Sequence, residues 1–247
     1  MMQCGLQTFT IRKEMNKDPE AAFQFIKEIG LDHVELARID FSHQTAELIK
    51  KTGLTVMSLQ ATYQKLHSQF DQISTFMMQV GCQIACVSLL SFGAIIGGKR
   101  AILRYAKKLN RLAYEYAKNQ IVLAFHHHDF EFRKVSGRYK LEWLIEATDP
   151  AVKFVLDTYW VTKMKEDPIQ WINRLGERLI GLHLRDHRYL KNGKSTDTEI
   201  GNGTVDFKRI IASAKPHVLY GVIEQDTQNP KASIRQSVDH CHRLGLN

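Results

Sequence analysis

Short apolar runs recur along the chain, and between them apolar residues return every three or four positions. The runs lie at 5–10, 33–36, 54–61, 84–89, 121–125, 152–157, 179–185 and 218–224. The run at 121–125 has no polar alternation, which suits a strand buried on both faces, as in a parallel sheet. The intervening stretches carry helix signals. Asp18-Pro19-Glu20 opens one, Phe23, Ile26 and Ile29 continue it, and Gly30 stops it. Ser42 caps a second, through Ala46 and Ile49 to Gly53. Phe70, Ile73, Phe76, Met77 and Val80 form a third stripe, and Ile102, Tyr105, Leu109, Leu112 and Tyr116 a fourth. Stretch 141–147 supports a short fifth helix; Asp167-Pro168 and Asn229-Pro230 open two more. Eight strands alternating with helices predict parallel strands joined by helical crossovers. At 247 residues the expected fold is a (β/α)8 TIM barrel forming one domain, 1–247. An open doubly wound sheet would place a Gly-rich phosphate turn after strand one, where this chain has Thr10-Ile11-Arg12.

Composition narrows the setting. The chain is 44% hydrophobic and 24% charged, enough for one large core. No run approaches the ~18 apolar residues that span a bilayer, and the N-terminus lacks signal-peptide blocks, so no membrane partner and a cytoplasmic location are expected. Cys4, Cys82, Cys86 and Cys241 form no C-x-x-C pair and read as reduced, buried thiols. Net charge is +8, from 34 Lys and Arg against 26 Asp and Glu. Part of it falls on one helix, at Lys99, Arg100, Arg104, Lys107, Lys108, Arg111 and Lys118. That face reads as solvated, since no aromatic residues interleave as a nucleic-acid stacking platform requires, and no nucleic-acid partner is expected.

In a barrel the C-terminal strand ends share one rim, where catalysis occurs. Strand five brings His126 and His128 to it, strand six Asp157, strand seven His183 and strand eight Glu224. Each ends or interrupts an apolar run, where an unpaired polar group would be costly to bury. Two imidazoles and two carboxylates suit one divalent ion, Mn²⁺, Zn²⁺, Co²⁺ or Fe²⁺, with Mg²⁺ also admitted. Alternation puts His126 and His128 on one face and turns His127 away to pack behind the rim. His126 is assigned as ligand and His128 as the group touching substrate, with the reverse assignment as the alternative. Glu131 lies further into the loop, in reach as ligand or base.

Several segments resemble the xylose isomerase-like TIM barrels, the sugar phosphate isomerase/epimerase group. The likeness runs nearly the whole chain. It is densest at 5–12 (Gly-Leu-Gln-Thr-Phe-Thr-Ile-Arg), 34–36 (Val-Glu-Leu), 125–132 (Phe-His-His-His-Asp-Phe-Glu-Phe) and 156–161 (Leu-Asp-Thr-Tyr-Trp-Val). It continues at 182–186 (Leu-His-Leu-Arg-Asp), 200–207 and 223–226 (Ile-Glu-Gln-Asp). The resemblance implies one divalent metal at the barrel mouth, with Asp157, His183 and Glu224 at ligand positions. The fourth ligand in that family is usually a Glu where His126 stands here, and a branch similar to this chain carries Tyr-His-Asn-His there. Two positions depart from the family: Gln60 stands where many relatives place a substrate-facing His, and His127 where Asn is common.

The resemblance further implies proton transfer next to a carbonyl through an enediolate, as in sugar isomerases and epimerases. Glu224 and either His128 or Glu131 are the expected acid–base pair. Glu35, Gln60, Trp160, Arg185 and Asp186 are candidate contacts to a small sugar or sugar derivative. Glu35 has pairing with Arg12 as its alternative, and Trp160 a place in the core. Arg185, Arg188, Lys191 and Lys194 crowd one loop and could hold an anion, though a solvated loop is the expected role. A dehydratase or lyase would use the same enolate. An endonuclease IV-like nuclease would want a second His three residues after Asp157, where Trp160 stands. A non-catalytic sugar-binding barrel would have no use for the full set of Asp157, His183 and Glu224. Homo-oligomerisation is left open.

Overall fold

The computed structural model describes residues 2–214 and 218–246. The terminal residues 1 and 247 of the expected domain lie outside the described residues. Eight parallel strands close into a barrel in sequential order. They are β1 (Gln3–Gln7), β2 (His33–Ala37), β3 (Thr55–Ala61), β4 (Ile84–Val87), β5 (Val122–His126), β6 (Lys153–Asp157), β7 (Leu179–Leu184) and β8 (Tyr220–Ile223). Closure is made by β8 on β1, with Gln3 opposite Tyr220 and Leu6 opposite Ile223.

The capping signals act as written in the sequence. The Asp18 carboxylate accepts from the Ala21 N–H at 3.0 Å to open Pro19–Glu28. Ser42 Oγ accepts from Thr45 N–H at 3.1 Å to open His43–Thr52, and Gly53 ends that helix at φ 68°. Asp167 opens Pro168–Leu175 in the same way. Each such cap contributes about 1 kcal/mol.

Elsewhere the structure departs from the expected elements. Strand one begins and ends early: the Gln7 side chain accepts from Phe9 N–H and turns Thr8–Ile11 into a 3₁₀ helix. Two hairpins have no strand-like apolar pattern, Lys134–Val135 with Arg138–Tyr139, and Asp186–Tyr189 with Ser195–Thr198. The basic helix Lys99–Ala117 does present a ring outward: Tyr114 is 67% exposed and Lys118 Nζ lies 4.7 Å from its centroid. All four cysteines are buried and free. Among the described residues no helix is long and apolar enough to cross a membrane.

Strand alternation divides the core in two. Leu123, Phe125, Phe154, Leu156 and Ile223 face outward and join the large layer under the helices. Ala124, Val155, Tyr220 and Val222 face inward, with Met57, Ile84, Cys86 and Ile180, and fill the barrel. Gly181 is required at this level, because a Cβ there would meet Tyr220 Cζ at 2.4 Å. The next inward positions after Ala124, Val155, Gly181 and Val222 are His126, Asp157, His183 and Glu224. The period-two register of four strands thus delivers four polar side chains into one layer above an apolar floor.

Candidate metal centre and pocket

His126, Asp157, His183 and Glu224 are all buried, and each offers a ligand atom within 4.8 Å of the others. Most of their polar atoms are contacted by the protein. His126 Nδ1 faces the Ser88 carbonyl at 3.3 Å, which turns Nε2 toward Asp157. Asp157 Oδ1 accepts from Tyr159 N–H at 2.8 Å and Trp160 N–H at 3.1 Å. His183 Nε2 lies 2.8 Å from Glu35 Oε1, and its Nδ1 lies 2.6 Å from Glu224 Oε2. His126 Nε2 and Asp157 Oδ2, 3.4 Å apart, are left buried without hydrogen-bond partners. Orphaned buried donors and acceptors are expensive. A divalent cation satisfies both at once, so the residues fit such an ion.

Arg185 supports this centre from the rim. It grips Asp197 of the second hairpin, Nε to Oδ1 at 2.6 Å and Nη2 to Oδ2 at 3.0 Å. Its Nη1 reaches Glu224 Oε1 at 3.2 Å and comes within 3.9 Å of Asp157 Oδ2. Burial alone would raise the Glu224 carboxyl, but His183 and Arg185 outweigh it and hold it well below the usual carboxylate range. Asp157 is lowered likewise, burial being outweighed by His126 and Arg185. Burial would lower His183, yet Glu35 and Glu224 on its two nitrogens raise it to about 10.

A cavity of about 260 Å³ opens over the cluster, and His126, His128, Glu224 and Gln60 are among its walls. Gln60 Oε1 accepts from Gln7 Nε2 at 3.1 Å, leaving its own amide nitrogen buried without a partner. His128 stands edge-on to His126, ring centroids 4.9 Å apart, and packs on Trp160 at 5.3 Å. Burial, then the neighbouring His126, pushes His128 down to about 3, so it is neutral at neutral pH. His127 is buried behind the rim, where its Nε2 accepts the Asp157 N–H at 3.1 Å.

Several expected site residues sit elsewhere. Glu35 is fully buried, is not on the cavity wall, and is held by His183 and by the Ser58 hydroxyl rather than by Arg12. Arg12 instead pairs with Asp226 at 2.9 Å. Asp186 is a loop fastener. Its carboxylate accepts from the N–H groups of His187, Gly201, Gly203 and Val205 at 2.8–3.1 Å, which leaves it nothing for a ligand. Glu131 is fully buried, and its Oε2 accepts the His128 N–H at 2.9 Å. It fixes the loop that carries His128 and does not line the cavity. Arg185 turns its donors to carboxylates of the chain, and Trp160 backs His128 between Lys163 and Arg185. Sequence inspection missed Ser58, Asp197, Gln7, Arg38 and Lys65. Arg38 alone had a signal, its place directly after β2.

A parallel eight-stranded barrel with a buried two-histidine, two-carboxylate cluster at its C-terminal mouth defines a class of TIM barrel built around a metal-capable pocket. The chain belongs to the xylose isomerase-like TIM barrel family, whose profile matches residues 23–244. A sugar phosphate isomerase/epimerase from Parabacteroides distasonis superposes with a TM-score of 0.83 at 20% identity, over 97% of this chain and 93% of that one. The probable 3-DHS dehydratase AsbF of Bacillus anthracis, involved in petrobactin synthesis, gives 0.75 at 14% identity, over 98% and 99%. The IOLI protein, solved with a bound zinc atom, gives 0.74 at 14%, over 99% and 96%. At these identities the likeness is one of fold. No curated protein matches the chain.

Proposed function

We propose that the protein is a metal-dependent isomerase or epimerase of a small sugar or sugar derivative, moving a proton through an enediolate. The observation that carries this is the pair of orphaned atoms, His126 Nε2 and Asp157 Oδ2, inside a buried four-residue cluster that opens on a cavity. His126, Asp157, His183 and Glu224 would hold the ion. When bound, a divalent ion supplies Lewis acidity that makes a C–H beside a carbonyl easier to deprotonate. Bound zinc in the IOLI structure and the family's sugar isomerase members support the assignment.

The chain's own groups account for the remainder. Arg185 and His183 keep Glu224 ionised, the state a base needs to take a proton at a carboxylate oxygen. His128, neutral and on the cavity wall, exchanges hydrogen bonds with a substrate oxygen. Gln60, fixed by Gln7, offers its free amide N–H groups to a hydroxyl. The backbone amides of Tyr159 and Trp160 and the Glu35 carboxylate keep Asp157 and His183 from rotating away.

A dehydratase or lyase is the second reading. Glu131 is withdrawn from the cavity, so among the described residues Glu224 is the one carboxylate on its wall and His128 stands as its partner. One base and one acid suffice to remove a proton and expel a β-substituent. The probable dehydratase among the similar structures is consistent with that outcome.

The test is metal analysis after loading with Mn²⁺ or Co²⁺, paired with solvent deuterium exchange over a panel of keto sugars and inososes. One ion per chain is expected in the wild type and none in Asp157→Ala. Glu224→Gln should keep its circular dichroism and lose exchange. Absence of a stoichiometric ion, or exchange that survives in Glu224→Gln, would overturn the proposal. Product analysis separates an epimer or isomer from a dehydrated product.

A further inference from the structure

The cavity is electrically lopsided. Its inner end carries Glu224, with Asp157 behind it in the buried cluster. Its β2–β3 wall carries two cations, Arg38 and Lys65, neither of which forms an ion pair among the described residues. Arg38 directly follows β2 and has a left-handed backbone, φ 55°, a conformation that disfavours a side-chain-bearing residue. Such strain persists where the surroundings enforce it, most often at binding sites. Its guanidinium lies 4.6 Å from the Phe9 ring centroid, and Arg12 stacks 4.3 Å from the same ring. Arg12 is neutralised by Asp226, whereas Arg38 is not. Lys65 stands half-buried on the short helix Tyr63–Ser68. Its ammonium lies 4.3 Å from the Phe41 ring centroid and makes one long contact, 3.4 Å, to the Ile39 carbonyl. Asp40, the nearby acid, accepts from the Ser42 and Thr45 hydroxyls at Oδ1 and, though Lys65 helps keep it ionised, forms no ion pair with it among the described residues.

We propose that Arg38 and Lys65 form the docking point for an oxyanion of the substrate, a phosphate monoester or a carboxylate at the end away from the reacting carbons. The inference rests on this cavity being the reaction site. A guanidinium offers paired donors to such a group, and the ammonium adds a point charge. The exposed loop cations Arg188, Lys191 and Lys194 are not on the cavity wall. They leave this role to the β2–β3 side.

Titration calorimetry of the protein with and without Mn²⁺ tests the proposal, using D-ribose 5-phosphate, D-ribonate and D-ribose at low ionic strength. At least one anionic ligand should bind about tenfold or more tighter than D-ribose, and added salt should erode the difference. The variant Arg38→Gly/Lys65→Gln suits the backbone at position 38 and should fold. It should lose the anion preference while leaving D-ribose binding unchanged. The phosphate and carboxylate arms show which group is preferred. Equal binding of charged and neutral ligands by the wild type, or an anion preference kept by the double variant, overturns the inference. Anion preference lost in the variant but with no stoichiometric Mn²⁺ in the wild type would bring down the isomerase assignment and leave this subsite standing.

Discussion

Glu35 Oε1 lies 2.8 Å from His183 Nε2, and neither side chain is exposed at all. The pair fixes the ring's orientation and so aims Nδ1 at Glu224. Carboxylate–histidine pairs of this kind typically contribute 10–100-fold in metal affinity. Glu35→Gln keeps the shape but removes the charge. Mn²⁺ affinity should fall by about tenfold or more, measured by competition against a chelator, with thermal unfolding still cooperative. Unchanged affinity would separate Glu35 from the metal centre.

Glu131 gives a pH signature. Burial, only partly offset by the His128 N–H, raises its pKa from 4.5 to about 7. Between these values the folded chain holds a proton that the unfolded chain has released. The stability that Glu131 contributes is therefore full below 4.5 and is lost as pH rises through about 7. The loss is on the order of 3 kcal/mol. Denaturant titrations from pH 5 to 8 should show this fall in the wild type and a flatter profile in Glu131→Gln. Parallel profiles would show that Glu131 does not titrate as its burial implies.

Gly181 and Tyr220 are a matched pair inside the barrel. Gly181→Ala puts a methyl within 2.4 Å of the ring and should cost about 1–3 kcal/mol. Tyr220→Leu in the same chain should recover part of that loss. A tolerated Gly181→Ala, read from its denaturation midpoint, would contradict the packing.

Asp186 ties down the stretch 201–205 through three backbone N–H groups and accepts a fourth from His187. Asp186→Ala leaves those donors to water and should cost about 2–4 kcal/mol. Hydrogen exchange should quicken at Gly201, Gly203 and Val205 first. Intact protection there would assign the loop's order to other contacts.

The barrel and its four-residue cluster were legible in the chain because both follow from strand periodicity. His126, Asp157, His183 and Glu224 each end an apolar run whose alternation sets the direction of the side chain. What was illegible depends on contacts between distant segments. Asp186 adjoins Arg185 on the rim, yet the loop at 201–205 claims its carboxylate. Glu35 has the sequence context of a substrate contact, but Ser58 on the neighbouring strand and His183 across the barrel enclose it. Asp197 sits in a polar stretch with no apolar pattern, so neither its strand nor its grip on Arg185 left a mark in the sequence.

Tyr220 and its apolar neighbours seal the barrel directly beneath the cluster. That floor closes the pocket from below, among the described residues. A proton lifted from a bound substrate then meets bulk water only slowly while the ligand fills the mouth. On the proposed chemistry, isotope taken from one carbon is returned to the same molecule in part, and solvent label enters only as often as the mouth clears.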